Sequence, residues 1–205
     1  MVELIIGTIM IVSVLYTYIP QPQYIHELTF LSNMAGAVLL LSDYALKKVK
    51  QKKLPHVLYL AETVTISVVF LISVVGTVSG MAHFNFGGGM FFCHVINPAL
   101  VVLYYVFFQG GRKLRIADLA LSPIPLSAYL LLDYIRFLKT HELVYGLFPA
   151  DKLTFLTAVM IGLMFYVITA VLGLAIWGIS KGLRNRRYES ESGRPDGIQK
   201  VGGKR

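Results

Sequence analysis

Six long apolar segments occupy most of this 205-residue chain, and they constrain its fold more than any other feature. Each contains an apolar run of roughly 17–25 residues, the length that an α-helix needs to cross the hydrocarbon core of a bilayer. The segments are expected to be helices, because an open strand edge would leave backbone groups unpaired in lipid. The sequence therefore predicts an all-α, polytopic integral membrane helical bundle with six transmembrane helices. The predicted spans are residues 2–20, 24–46, 57–79, 89–108, 117–138 and 153–180.

The composition agrees with this interpretation. Hydrophobic residues make up 56% of the chain and charged residues only 15%, whereas about a quarter of the residues in a soluble domain are charged. The spans leave room for one transmembrane domain, residues 1–180, and for no separate soluble domain. Residues 181–205 are rich in Arg, Ser, Glu and Gly without periodicity, which predicts a basic, disordered cytoplasmic tail.

The placement of the basic residues predicts the topology. Of the 19 lysines and arginines, five lie in 47–53, three in 112–115 and eight after Ser180. If the spans alternate in direction, these three regions share one side, and the positive-inside rule places that side and both termini in the cytoplasm. The net charge of +8 therefore indicates a multi-pass protein of the cell membrane and not a nucleic-acid partner. The first segment lacks a basic n-region and a cleavage signal, so we expect it to remain as a helix.

Several kinds of site are excluded by residue type. The single cysteine, Cys93, excludes an intramolecular disulfide and a cysteine-based metal cluster. The sequence contains no C-x-x-C, no H-E-x-x-H and no Walker-type glycine loop. We therefore expect neither a metal nor an organic cofactor.

Polar residues within the spans concentrate at one depth. Thr29 and His94 each lie five residues from the outer end of a predicted span. At a rise of 1.5 Å per residue, both are about 7 Å below the outer boundary of the membrane. Asn33 and Asn97 follow them at i+4 and i+3, on the same helix faces. Such residues are rare in a bilayer unless they have partners or a function.

This layer of polar residues is suited to acyl transfer. Threonine becomes a nucleophile when a base takes its proton, and histidine titrates near neutral pH. An amide of Asn33 or Asn97 would orient the imidazole or donate to an oxyanion. Tyr134 and Arg136 lie at the outer end of the fifth span, where Arg136 would pair with a carboxylate head group. The predicted substrate is a membrane lipid or acyl ester that enters sideways from the bilayer, and the outer stretch 139–152 is predicted to cover the helices as a lid.

Each residue also has a structural interpretation. Membrane threonines usually bond back to their own helix, and asparagines join helices without taking part in chemistry. Cys93 adjoins His94 but points about 100° away around the helix, so we expect it to pack as a small hydrophobic residue. The alternative function is a non-catalytic lipid-binding or transport protein that uses the same polar cavity. In that case His94 and Glu62 would handle a proton or a head group.

Four motifs carry a resemblance to a known family: LTFLSN, CHVINP, PIPLSAYLLLDYIRF and YGLFPAD. Over roughly residues 20–180 the chain resembles the androgen-induced-gene family of six-helix membrane proteins, and its bacterial relatives named for six prolines in particular. Animal members are threonine hydrolases that cleave fatty acid esters of hydroxy fatty acids. The resemblance implies that Thr29 is the nucleophile and His94 the general base. The positions of Ser32 and Pro98 depart from the animal pattern and fit the bacterial branch.

Overall fold

A computed structural model describes residues 1–80, 87–109, 114–145 and 153–192. Every regular element in these residues is helical, which confirms the all-α prediction. The helices correspond in order to the six apolar segments. In chain order they are α1 (Val2–Tyr18), α2 (Leu28–Lys50), α3 (His56–Val78), α4 (Gly89–Gln109), α5 (Ile116–Thr140) and α6 (Phe155–Ser192).

The helices are compatible with a membrane bundle. The five helices α2 to α6 are long and apolar enough to cross a bilayer, whereas α1 is apolar but has 17 residues. α3 lies at the centre and packs against α2, α4, α5 and α6. α6 exposes many large apolar side chains on its outer face, as expected for a helix in contact with lipid.

α2 begins later than the sequence predicts. Pro22–Tyr24 form a separate 3₁₀ turn, and Glu27 then adopts an extended backbone, so the helix starts at Leu28 and not at residue 24. Thr29 is consequently the second residue of α2. Its backbone N–H is one of the donors at a helix start that have no carbonyl partner within the helix.

α4 is irregular at His94. This residue lies in a five-residue π-helical turn, in which the N–H of Asn97 bonds to the carbonyl of Phe92, five residues earlier. The next donor in this pattern would be Pro98, which has no N–H. The carbonyl of Cys93 is therefore left for a donor from another helix. Turns of this kind occur frequently at functional sites.

The prolines of the fifth span also interrupt the helix. α5 consists of two parts, Ile116–Leu121 and Ile124–Thr140, which are separated at Ser122 and Pro123. The second part forms one wall of the cavity described below. Of the predicted lid, residues 146–152 lie outside the described part of the chain.

α6 extends beyond the predicted membrane domain. The sequence predicts disorder from Lys181, but the helix continues through Ser192, so that prediction is wrong for residues 181–192. Seven of the twelve residues in this stretch are Leu, Arg, Lys or Glu, which are good helix formers. The ammonium group of Lys181 also lies 5.0 Å from the ring centroid of Trp177, one turn earlier. Residues 193–205 lie outside the described residues.

Candidate active site

Thr29 and His94 are in direct contact. The Thr29 Oγ1 atom lies 3.3 Å from Nε2 of His94, across the interface between α2 and α4. Both side chains are buried, with relative exposures of 1% and 4%. A base abstracts a proton over roughly 2.6–3.2 Å, and the contact is commonly longer in a substrate-free enzyme. The structure thus brings together the two residues that the sequence singled out.

The hydrogen bond of the Nδ1 atom fixes the tautomer of His94. Its Nδ1 atom lies 3.0 Å from the carbonyl oxygen of Met90. Because a carbonyl only accepts hydrogen bonds, Nδ1 carries the proton of the neutral ring. Nε2 is then the acceptor, and the hydroxyl of Thr29 donates to it. This is the orientation that a general base requires.

The hydroxyl of Thr29 differs from the buried serine and threonine hydroxyls of α3. In α3, four buried serine and threonine side chains donate to the carbonyl four residues earlier. Thr29 has no helical carbonyl four residues before it, because it is the second residue of α2. Its hydroxyl is directed instead to side chains from other elements. The interpretation in which a membrane threonine bonds back to its own helix therefore does not apply to Thr29. The four hydroxyls in α3 are those of Thr63, Thr65, Ser67 and Ser73.

Tyr145, which belongs to the predicted lid, is a third member of the site that the sequence did not single out as a partner of Thr29. The backbone N–H of Thr29 donates to its phenolic oxygen at 3.1 Å, and the Thr29 Oγ1 atom lies 3.3 Å from the same oxygen. The carboxylate of Asp133 accepts the N–H of Val144 at 3.2 Å, which holds the loop that carries Tyr145. Burial raises the pKa of Tyr145 to about 12. The phenol therefore stays protonated and can donate a hydrogen bond at neutral pH.

The amides of Asn33 and Asn97 bond to backbone carbonyls and to other polar side chains. Asn33 Nδ2 donates to the carbonyls of Thr29 and Cys93, at 2.8 and 3.0 Å. Asn97 Nδ2 donates to Asn33 Oδ1 at 2.7 Å and to Ser13 Oγ at 2.8 Å. The imidazole is oriented by a backbone carbonyl, and these amides instead tie α1, α2 and α4 together. Because Pro98 has no N–H to donate, the Asn33 amide is the donor to the carbonyl of Cys93.

We expect the change Asn33→Leu to destabilise the bundle by about 1–2 kcal/mol, the range found for hydrogen bonds between membrane helices. Leucine has a similar size but leaves the two carbonyls without this donor. Thermal unfolding in detergent would measure the loss. Ser32→Ala is the matched control, since Ser32 makes only a long local bond of 3.4 Å to the Thr29 carbonyl. Equal melting temperatures for the two variants would contradict the assignment.

Cys93 faces away from Thr29. Its Sγ atom lies 3.7 Å from Thr17 Oγ1, and its side chain packs with Val14 and Tyr18 of α1. The prediction that it acts as a small buried hydrophobic residue is confirmed. It is not placed to act as a rival nucleophile.

Arg136 lies near His26 and Asp133. Burial lowers the pKa of His26, and the nearby guanidinium of Arg136 lowers it further. The carboxyl group of Asp133 also lies near this guanidinium. Among the described residues, the hydrogen-bond partners of the Thr29 hydroxyl are His94 and Tyr145. Arg136 is therefore not a hydrogen-bond partner of the reacting hydroxyl.

A cavity of about 240 Å³ adjoins the site, mainly between α5 and α6. Leu28 and Tyr145 form its wall on the side of Thr29. Tyr134 also lines it, and the ring of Tyr134 lies 6.4 Å from that of Phe155. The structure thus places Tyr134 in the cavity wall and not at the reacting hydroxyl.

Glu62 is separate from this site. Its carboxylate lies against Gly36, where an added Cβ would come within 2.8 Å of Oε1. Gly36 is seven residues after Thr29, so this contact is about 10 Å deeper along α2. Glu62 therefore lies deeper in the bundle than Thr29.

Comparison with protein-family models, with curated proteins and with solved structures finds no match to the chain. In the described residues, no group of three or more His, Cys, Asp or Glu side chains is arranged to hold a metal ion.

Proposed function

We propose that this protein is an intramembrane threonine hydrolase that cleaves lipid esters. The contact between Thr29 Oγ1 and His94 Nε2 carries the proposal, because the Met90 carbonyl orients the same ring. A nucleophile, a base and a group that orients the base form the arrangement of nucleophilic catalysis. The proposed substrates are fatty acid esters of hydroxy fatty acids or similar acyl esters. The chemistry needs no metal or organic cofactor.

The reaction would proceed in two steps. His94 takes the hydroxyl proton of Thr29 as Oγ1 attacks the ester carbonyl, and His94 then returns that proton to the departing alcohol. A water molecule, deprotonated by His94, next attacks the acyl-threonine, and His94 returns this proton to Oγ1 of Thr29 as the fatty acid is released. Tyr145, close to Oγ1, would donate its phenolic proton in a hydrogen bond to the carbonyl oxygen as negative charge develops there.

The proposed topology has six spans and both termini in the cytoplasm. It rests on the distribution of basic residues. The 17 residues of α1 extend about 26 Å, somewhat less than the hydrocarbon core of about 30 Å. In this topology Thr29, at the start of α2, lies in the outer half of the bilayer. The substrate would enter from the outer leaflet.

The direct test uses purified protein in lipid nanodiscs. We expect a fluorophosphonate probe to form an adduct on Thr29, located by mass spectrometry, and a supplied fatty acid ester to release its acid. Labelling should decrease when the ester is in excess. An adduct on another residue, or none together with no acid release, would overturn the hydrolase. Lipid binding without turnover would instead favour the non-catalytic lipid-binding or transport protein, which the apolar cavity also supports.

The change Tyr145→Phe is expected to lower kcat by roughly 10²–10³-fold, the usual effect of removing one oxyanion donor. KM should change little, because the ring remains in the cavity wall. Tyr134→Phe is the matched control: Tyr134 lines the same cavity but is not a hydrogen-bond partner of Thr29. Steady-state kinetics on one ester measures both variants. Equal kcat values for the two would exclude Tyr145 from the chemistry.

A further inference from the structure

We infer that the cavity between α5 and α6 binds the acyl chain of the ester and that Gly162 sets its usable depth. The inference rests on the proposed function for the identity of the ligand. Within that function, the acyl chain is the part of the substrate that lies in the cavity, and Gly162 is the residue that limits the length of the chain.

The cavity reaches two residues that adjoin the nucleophile. Leu28 lines it and directly precedes Thr29 in α2. Tyr145 also lines it, and its hydroxyl oxygen accepts the N–H of Thr29. A carbonyl carbon placed against Thr29 Oγ1 would therefore have the cavity beside it. Only one of the substituents of that carbon can extend in this direction.

The lining selects the acyl chain over a polar group. The Ser127 hydroxyl donates to the carbonyl of Pro123 at 3.1 Å, and the Asp133 carboxylate accepts the N–H of Val144. These two polar groups therefore bond within the protein. The greater part of the wall is aliphatic or aromatic, as in sites that bind apolar ligands. Representative wall residues are Ile72, Leu126, Leu130, Ile161 and Phe165.

The cavity has an exposed rim on the outside of the bundle. Leu131, Phe155 and Val159 line it and are 59%, 72% and 40% exposed. In a membrane, this exposed apolar rim faces acyl chains. A lipid chain can therefore enter sideways without passing through water.

Gly162 is the position at which the cavity can be shortened. It lines the cavity, and a Cβ added there meets no heavy atom within 4 Å. It lies seven residues after Phe155, about 10 Å further along α6. A larger side chain would fill the cavity without a backbone clash. Gly178, on the same helix, also has open space around an added Cβ, is exposed, and is not part of the cavity lining.

The kinetic test compares Gly162→Leu with Gly178→Leu on p-nitrophenyl butyrate, octanoate and palmitate. We expect Gly162→Leu to lower kcat/KM for palmitate by roughly tenfold or more, the effect of excluding even one methylene from an apolar pocket. Its activity on butyrate should stay near that of the wild type, and Gly178→Leu should leave all three unchanged. An equal loss on every ester, or no change in chain-length preference, would overturn the inference. If Gly162→Leu does not fold, Gly162→Ala should show the same order of preference with a smaller shift.

A binding test separates this inference from the proposed function. A palmitic acid analogue with a diazirine near its methyl end is photo-crosslinked to Thr29→Ala protein, and the labelled peptides are identified. We expect labels on the cavity-lining parts of α5 and α6, lost when Gly162→Leu is added and kept when Gly178→Leu is added. Labels there without any ester turnover in the wild type would contradict the proposed hydrolase activity and would still support the acyl-chain site. Labels elsewhere would overturn the chain site even in an active enzyme.

Discussion

Replacing Thr29 by alanine is expected to lower kcat for ester hydrolysis by about 10⁴-fold or more, as for loss of the nucleophile in other hydrolases. The alternative nucleophile nearby, Cys93, faces α1 and cannot substitute. Fatty acid release from nanodiscs and fluorophosphonate labelling are the two measurements, and both should fall together. Thr29→Ser keeps the hydroxyl and should retain labelling.

The matched control for this change is Thr29→Val, which removes the hydroxyl but keeps the branched shape. The backbone N–H of residue 29 remains to bond the Tyr145 oxygen, so the variant should fold with a melting temperature near that of the wild type. Loss of activity at unchanged stability would identify the hydroxyl as the reactive group. Full activity in Thr29→Val would show that water, activated by His94, attacks the ester directly.

The sequence was sufficient to predict the helices because membrane spans are specified by length and apolar content. It also singled out Thr29 and His94, since few polar residues lie at one depth in a bilayer. It misplaced the start of α2 by four residues, because apolar Tyr24 and Ile25 look like the start of the span, whereas the 3₁₀ turn Pro22–Tyr24 and the extended Glu27 precede the helix. That difference matters chemically. The later start releases the Thr29 hydroxyl from its own helix.

The residues around the pair were less predictable, because helical periodicity gives the face of a side chain and not its partner. Asn33 and Asn97 share faces with Thr29 and His94, yet their amides reach backbone carbonyls and Ser13. Tyr145 was missed as a contact of Thr29 because 116 positions separate the two. A loop residue has no helical register from which its position can be inferred.

The irregular geometry of α4 explains why a structural amide lies so close to the proposed base. The π-helical turn and Pro98 together leave the Cys93 carbonyl without a donor from its own helix, and Asn33 meets this need across the interface. Since Asn33 also bonds the carbonyl of Thr29, one amide joins the backbones on which the nucleophile and the base are carried. The polar layer thus combines a structural amide, that of Asn33, with a pair suited to chemistry, Thr29 and His94.

His94→Ala is expected to lower kcat by about 10³-fold or more, because Thr29 loses the acceptor for its proton. The decisive comparison is the double variant with Thr29→Ala. Residues that act as one unit give strongly non-additive losses, so the double variant should be no slower than Thr29→Ala alone. His26→Ala is the control, since His26 is a histidine near Arg136 outside the pair and should retain activity. Independent, multiplying losses at positions 29 and 94 would show that the two side chains do not share a proton.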